Sequence, residues 1–279
     1  MIKPKLFFTL ILLVIISFPL VTIAETNTTK KLTFSEDWLK GVVIVVYGNQ
    51  YGTGFWINPS HIATAAHVVS YDSNARVTII KGSVQAQGQV VALDRGTDVA
   101  VIYVQNADQF DKHIFPIARS MPEPTSTIYV IGYPSELLQV MGSLETLSEH
   151  PRVLESRLTW SANGLIELGG ITDAGNSGGP VLNWYGEVIG VVSFALRGPA
   201  GTLYFATSAG NLKQLCQEHN IAYIEGTSGI LPESIVQNPV VAGAVAGATA
   251  SVLVDIALLI LGIGFGVGVI AARRKRRAR

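Results

Sequence analysis

Asp173-Ala174-Gly175-Asn176-Ser177-Gly178-Gly179-Pro180 is the stretch on which the reading of this chain turns. One hydroxyl stands among glycines, and glycine lets a backbone turn tightly and approach another molecule without a Cβ in the way. Acyl transfer by serine needs such a loop, because its N–H groups must converge on an oxyanion as the charge develops. Taken alone, Gly-Asn-Ser-Gly-Gly-Pro is also the composition of an ordinary polar surface turn. Two residues upstream separate these readings.

The first is a histidine. Gly52-Thr53-Gly54-Phe55-Trp56-Ile57 reads as an apolar strand entered through glycines, and Asn58-Pro59-Ser60 as a turn. His61-Ile62-Ala63-Thr64-Ala65-Ala66-His67-Val68-Val69 follows, so His67 comes just after a short small-residue strand, where a tight turn aims an imidazole into a cleft. The second is Asp98, in Arg95-Gly96-Thr97-Asp98-Val99-Ala100-Val101-Ile102-Tyr103-Val104. It opens a strongly apolar strand, where an unpaired charge is costly and a donor is required. An imidazole Nδ1–H is such a donor. Asp94 is the rival carboxylate, but it precedes a turn and reads as solvated. The chain order His, Asp, Ser, with separations of 31 and 79 residues, suits one barrel carrying the first two groups and a second carrying the serine.

With these motifs in hand, the chain resembles the trypsin-like serine proteases, and the HtrA/Deg-type branch more than the disulfide-rich digestive enzymes. Gly-Thr-Gly-Phe-Trp-Ile, Ala-Thr-Ala-Ala-His-Val-Val, Gly-Thr-Asp-Val-Ala-Val-Ile and Gly-Asn-Ser-Gly-Gly-Pro-Val-Leu carry the likeness. Gly186 to Val191 and Tyr204 to Thr207 fit the last strands, and the resemblance covers about residues 40 to 215. Where the family often has Phe-Ala-Ile-Pro this chain has Phe-Ala-Thr-Ser, and no PDZ domain follows. The resemblance implies an all-β fold of two six-stranded antiparallel barrels, with Ser208 to His219 as a short closing helix. It implies Ser177 as nucleophile, His67 as general base and acid, and Asp98 as the group that orients the imidazole. It also implies an oxyanion hole from the N–H groups of Gly175 and Ser177, and no metal or organic cofactor. The base of the specificity pocket falls near Ile171 and Thr172, with Ser193-Phe194-Ala195 as its wall. No carboxylate stands at that base, so a small or medium apolar P1 side chain is expected rather than Lys or Arg. An inactive binding module on the same fold, or a serine esterase, are the alternatives.

The ends of the chain speak of location. Lys3 and Lys5 precede an uncharged apolar run from Leu6 to Ala24, which reads as a secretory signal that is either removed or kept as an anchor. A polar lead-in covers residues 25–39, and Asn27-Thr28-Thr29 is a glycosylation sequon consistent with export. Pro239 to Ala272 is apolar except for Asp255, and six of the seven residues from Arg273 to Arg279 are basic. A bilayer core takes about 20 helical residues and positive charge stops at the cytoplasmic face, so a single transmembrane helix with an inside tail is expected. A register starting near Leu253 leaves Asp255 at the outer interface. Gly262, Gly264, Gly266 and Gly268 provide small-residue spacing that permits homodimer contact in the membrane. Residues 223–238 then form a short stalk below a protease domain at 40–222.

Composition fits that division. The formal charge of zero conceals segregation, since residues 25–238 carry 12 basic and 19 acidic side chains. An acidic exterior domain speaks against nucleic acid, while the resemblance implies protein or peptide substrates. Cys216 is the one cysteine, so no intrachain disulfide staples the domain.

Overall fold

The computed structural model describes residues 34–170, 174–199 and 201–227. Its twelve strands form two closed barrels. The first runs β1 (Val42–Tyr47), β2 (Gln50–Asn58), β3 (His61–Thr64), β4 (Arg76–Lys81), β5 (Val84–Asp94) and β6 (Val99–Val104), joined in the order 1-2-3-6-5-4. The second holds β7 (Thr127–Gly132), β8 (Arg152–Ala162), β9 (Leu165–Leu168), β10 (Pro180–Leu182), β11 (Val188–Gly198) and β12 (Gly201–Ser208). Their order, 7-8-9-12-11-10, repeats that of the first barrel. The two-barrel expectation therefore holds, and every named strand pairing is antiparallel.

Strand chemistry follows from side-chain alternation. In β5, Ala86, Gly88, Val90 and Ala92 turn inward, while Gln85, Gln87, Gln89 and Val91 face water. Strand β1 is instead β-branched from Val42 to Val46, and both its faces are covered over Val42–Val45. Val43 and Val45 join Trp56, Ile62, Ile79 and Ile102 in the core of the first barrel. Val42 and Ile44 belong to a larger cluster with Phe55 and Ile57 of β2, Ile131 of β7, and Leu182 and Val191 of the second barrel. That shared cluster fixes the two barrels against each other. Fully burying each such side chain contributes about 1.5–3 kcal/mol.

The closing helix, α3 (Ala209–Glu218), starts where Ser208 Oγ accepts the N–H of Gly210. It buries Leu212, Leu215 and Cys216 in the shared cluster. Two further helices, α1 (Ser135–Met141) and α2 (Leu144–Glu149), stand in a region to which the sequence reading assigned no helix. Each spans two turns or fewer between Pro134, Gly142 and His150, too short for a 3.6-residue hydrophobic period to be read. After α3, residues 224–227 return to the connection between β6 and β7, where Ile117 N–H donates to Ile224 O (2.8 Å) and Gly226 N–H to Ile117 O (2.7 Å). The expected signal segment and transmembrane span, the basic tail, and parts of the expected lead-in and stalk lie outside the described residues. Among the described residues no helix is long and apolar enough to cross a membrane.

Candidate active site

Strand β3 ends at Thr64 and the chain tightens into a 3-10 turn over Ala66–Val69, which carries His67. Asp98 precedes β6 with φ +57°, a left-handed conformation that aspartate tolerates better than bulkier residues. From there it grips the histidine turn three times. Asp98 O accepts the N–H of Ala66 (3.2 Å), Oδ1 accepts the N–H of His67 (2.9 Å), and Oδ2 lies 2.8 Å from His67 Nδ1. A carboxylate only accepts, so Nδ1 carries the proton and Nε2 is left as the basic nitrogen. Ser193 Oγ donates to the same Oδ2. Burial alone would raise the Asp98 pKa, but the bonds from His67 and Ser193 outweigh it and hold the carboxyl below its usual value. Asp94 is spent locally, accepting the Gly96 N–H and the Thr97 hydroxyl in its own turn.

Ser177 comes from the second barrel, in the loop before β10. It reaches the histidine turn across Gly52 of β2: a Cβ there would come within 2.6 Å of Val68 Cγ2 and 2.9 Å of Ser177 O. Thr53 N–H donates to Ser177 O at 2.8 Å, tying the nucleophile's backbone to the first barrel. Gly175 (φ +91°) and Gly178 (φ +83°) take the positive φ that the sharp loop requires. At both, a Cβ would collide with backbone atoms, Tyr133 O in one case and Thr53 O in the other.

The oxyanion donors are oriented by what their carbonyls do. In a planar trans peptide the C=O and N–H point in opposite directions. Ala174 O accepts the Ser135 N–H (2.7 Å), so the Gly175 N–H faces away from α1. Asn176 O accepts the Gly179 N–H (2.9 Å), which turns the Ser177 N–H outward in the same way. Neither N–H donates to another group among the described residues.

The three candidate catalytic residues thus sit on adjoining segments, and the two candidate oxyanion residues flank Asn176. Of the expected pocket-wall residues, Ser193 is buried with its hydroxyl on Asp98, so it also supports the carboxylate, a contact across 95 residues that no local pattern signals. Phe194 is exposed and stacks on Phe205 with ring centroids 5.2 Å apart, and Ala195 is exposed beside it. Ile171 and Thr172 lie outside the described residues. Gln50 was also missed: its amide donates to Val68 O (2.8 Å), Ser70 Oγ (3.0 Å) and His67 O (3.3 Å), clamping the histidine turn. No local sequence pattern could signal contacts across 17 to 20 residues. A cavity of about 530 Å³ opens at the β2–β3 turn, lined by Asn58, His61, Val91 and His219, at the opposite end of β3 from His67. Among the described residues no group of three or more His, Cys, Asp or Glu could hold a metal. The Cys216 thiol is buried, which pushes its pKa up to about 12, so it is a poor nucleophile.

A double-barrel fold with an aspartate-held histidine and a glycine-flanked serine at the barrel junction defines a peptidase class. Residues 52–191 match the trypsin-like peptidase domain, and the chain belongs to that family. Among its relatives, HhoB of Synechocystis sp. is 35% identical over 166 residues, covering 56% of this chain and 36% of HhoB. Serine protease Rv3671c of Mycobacterium tuberculosis is 28% identical over 181 residues, covering 60% of this chain and 41% of the relative. The crystal structure of the active form of Rv3671c superposes with a TM-score of 0.54 at 23% identity, over 68% of this chain and 85% of that one. This chain therefore spans well under half the length of those curated relatives.

Proposed function

We propose that the protein is a serine endopeptidase, held at a membrane and acting outside the cytoplasm. The observation that carries the chemistry is the His67–Asp98 pair, its Nδ1 fixed on a carboxylate and its Nε2 free to serve the hydroxyl of Ser177. Ser177 Oγ would attack the peptide carbonyl as His67 takes its proton, giving a tetrahedral adduct whose oxygen accepts from the N–H groups of Gly175 and Ser177. His67 would then return the proton to the leaving amine, and water would release the acyl group by the reverse sequence.

Substrate binding is supported by a strand edge that no described strand pairs. Past Val192, β11 resumes its pairing with β12 at Ala195, while its pairing with β10 stops at Val191. An extended peptide can add to the open edge at Ser193-Phe194-Ala195, with its side chains meeting the exposed Phe194 and Leu196. These apolar surfaces favour small or medium apolar P1 groups. The Pro239–Ala272 run and the basic tail would anchor the domain from its C-terminal side, leaving membrane-proximal or freely diffusing proteins as substrates.

The test is cleavage of casein and a peptide library by the full-length chain in detergent, beside Ser177→Ala, with fluorophosphonate labelling in parallel. Serine-dependent amide cleavage is expected, and the library identifies P1. Labelling with ester but no amide hydrolysis would favour an esterase. A folded wild type that neither cleaves nor labels would leave a binding module.

A further inference from the structure

Thr53, in β2, is fully buried between the two barrels, and its side chain bonds far from its own strand. Its Oγ donates to Gly175 O at 2.7 Å and accepts the N–H of Tyr133 at 3.2 Å. Its backbone N–H meanwhile donates to Ser177 O, and its backbone oxygen accepts the hydroxyl of Thr64. One residue thus holds the carbonyls of Gly175 and of Ser177. The peptide between Gly175 and Asn176 links the two peptides that carry the oxyanion donors, so fixing its carbonyl fixes the course of the loop between them. Tyr133 belongs to the same turn that supplies the Ser135 N–H to Ala174 O. The hydroxyl therefore joins the first barrel, the turn after β7 and the oxyanion loop at a single atom.

We propose that Thr53 is a positioning residue for catalysis: its hydroxyl locks the Gly175–Asn176 peptide and so keeps the N–H groups of Gly175 and Ser177 aimed at one point. This rests on the endopeptidase reading above. Packing alone would be satisfied by valine, which matches threonine in shape but offers no hydrogen bond. Valine would leave Gly175 O and Tyr133 N–H without their partner and remove the side-chain restraint on the link between the two donors. Because the triad is untouched, the loss falls on stabilisation of the tetrahedral adduct and not on substrate binding.

The experiment compares full-length wild type, Thr53→Val and Thr53→Ser. It measures kcat and KM on the best library peptide, and inhibition by the matching peptidyl trifluoromethyl ketone, whose hemiketal oxygen needs the same donors. Thr53→Val should lower kcat by about 100-fold with KM within about threefold, the scale of one lost oxyanion donor. Inhibitor affinity should fall in proportion, and Thr53→Ser should stay within about fivefold of wild type on both measures. If T53V does not fold, Thr53→Cys replaces it against Thr53→Ser, since a thiol of similar shape is a weak donor. Wild-type kcat in the hydroxyl-deficient variant, equal losses in T53S and its comparator, or a loss confined to KM would each overturn the inference. Absence of Ser177-dependent turnover in the wild type would instead sink the reading of the site, and the inference with it.

Discussion

At the residue scale the site is governed by what a single carboxylate accepts. Asp98 receives the N–H of His67, its Nδ1–H and the Ser193 hydroxyl, and all three require an acceptor. Asparagine in its place keeps the size but presents an NH2 group to one of these donors, which favours the opposite imidazole tautomer. Asp98→Asn should therefore lower kcat by about 10⁴-fold, with Ser177→Ala as the floor of the assay. A fall of less than tenfold would mean that the imidazole is oriented by something else, with the Gln50 clamp on its backbone as the first suspect.

At the element scale, the last described segment acts as a strap. Residues 224–227 bond to Ile117, Arg119 Nη2 contacts Glu225 Oε2 at 2.8 Å, and Thr227 N–H donates to the buried Glu187 Oε1 at 2.6 Å. A chain ended after Tyr223 loses these contacts and deprives a buried carboxylate of a donor. Compared with a chain ended after Thr227, it should be less stable by about 3 kcal/mol, or about 6–12 °C in Tm. Equal melting curves would show that the strap is ornamental. The strap was invisible in the sequence because its partners lie 40 to 109 residues away, and the same holds for Thr53 and Ser193. By contrast, the glycine-entered strand β2, the apolar opening of β6, and the residues around His67 and Ser177 were legible. Their signals are local: an apolar run bounded by a turn, a glycine that must take positive φ, a charge at the mouth of an apolar strand. Helices α1 and α2 escaped because they are too short to carry a period of their own.

At the scale of the whole molecule, the barrels are also joined by a polar contact. Lys81, at the end of β4, donates to Leu39 O at 2.7 Å and to the hydroxyl of Tyr133 at 3.1 Å, and Tyr133 OH reaches Val42 O in turn. Burial brings the Lys81 pKa down from 10.5 to about 8, against the pull of the Glu149 carboxylate. The unfolded chain then holds the extra proton between about pH 8 and 10.5, so this group's cost to stability is full below pH 8 and fades as pH rises through that window. The stability of wild type minus that of Lys81→Met should rise by up to about 3 kcal/mol from pH 7.5 to pH 10.5 in urea unfolding. A difference that stays flat would mean that water reaches the ammonium freely. The division of the site between barrels also sets its timing. The first barrel closes with β6 at Val104, whereas Ser177 precedes β10. A chain emerging N-terminus first completes its base long before its nucleophile has anything to be carried on. On the endopeptidase reading, cutting power therefore arrives last, with the second barrel, and a half-made chain has a base but no nucleophile to serve.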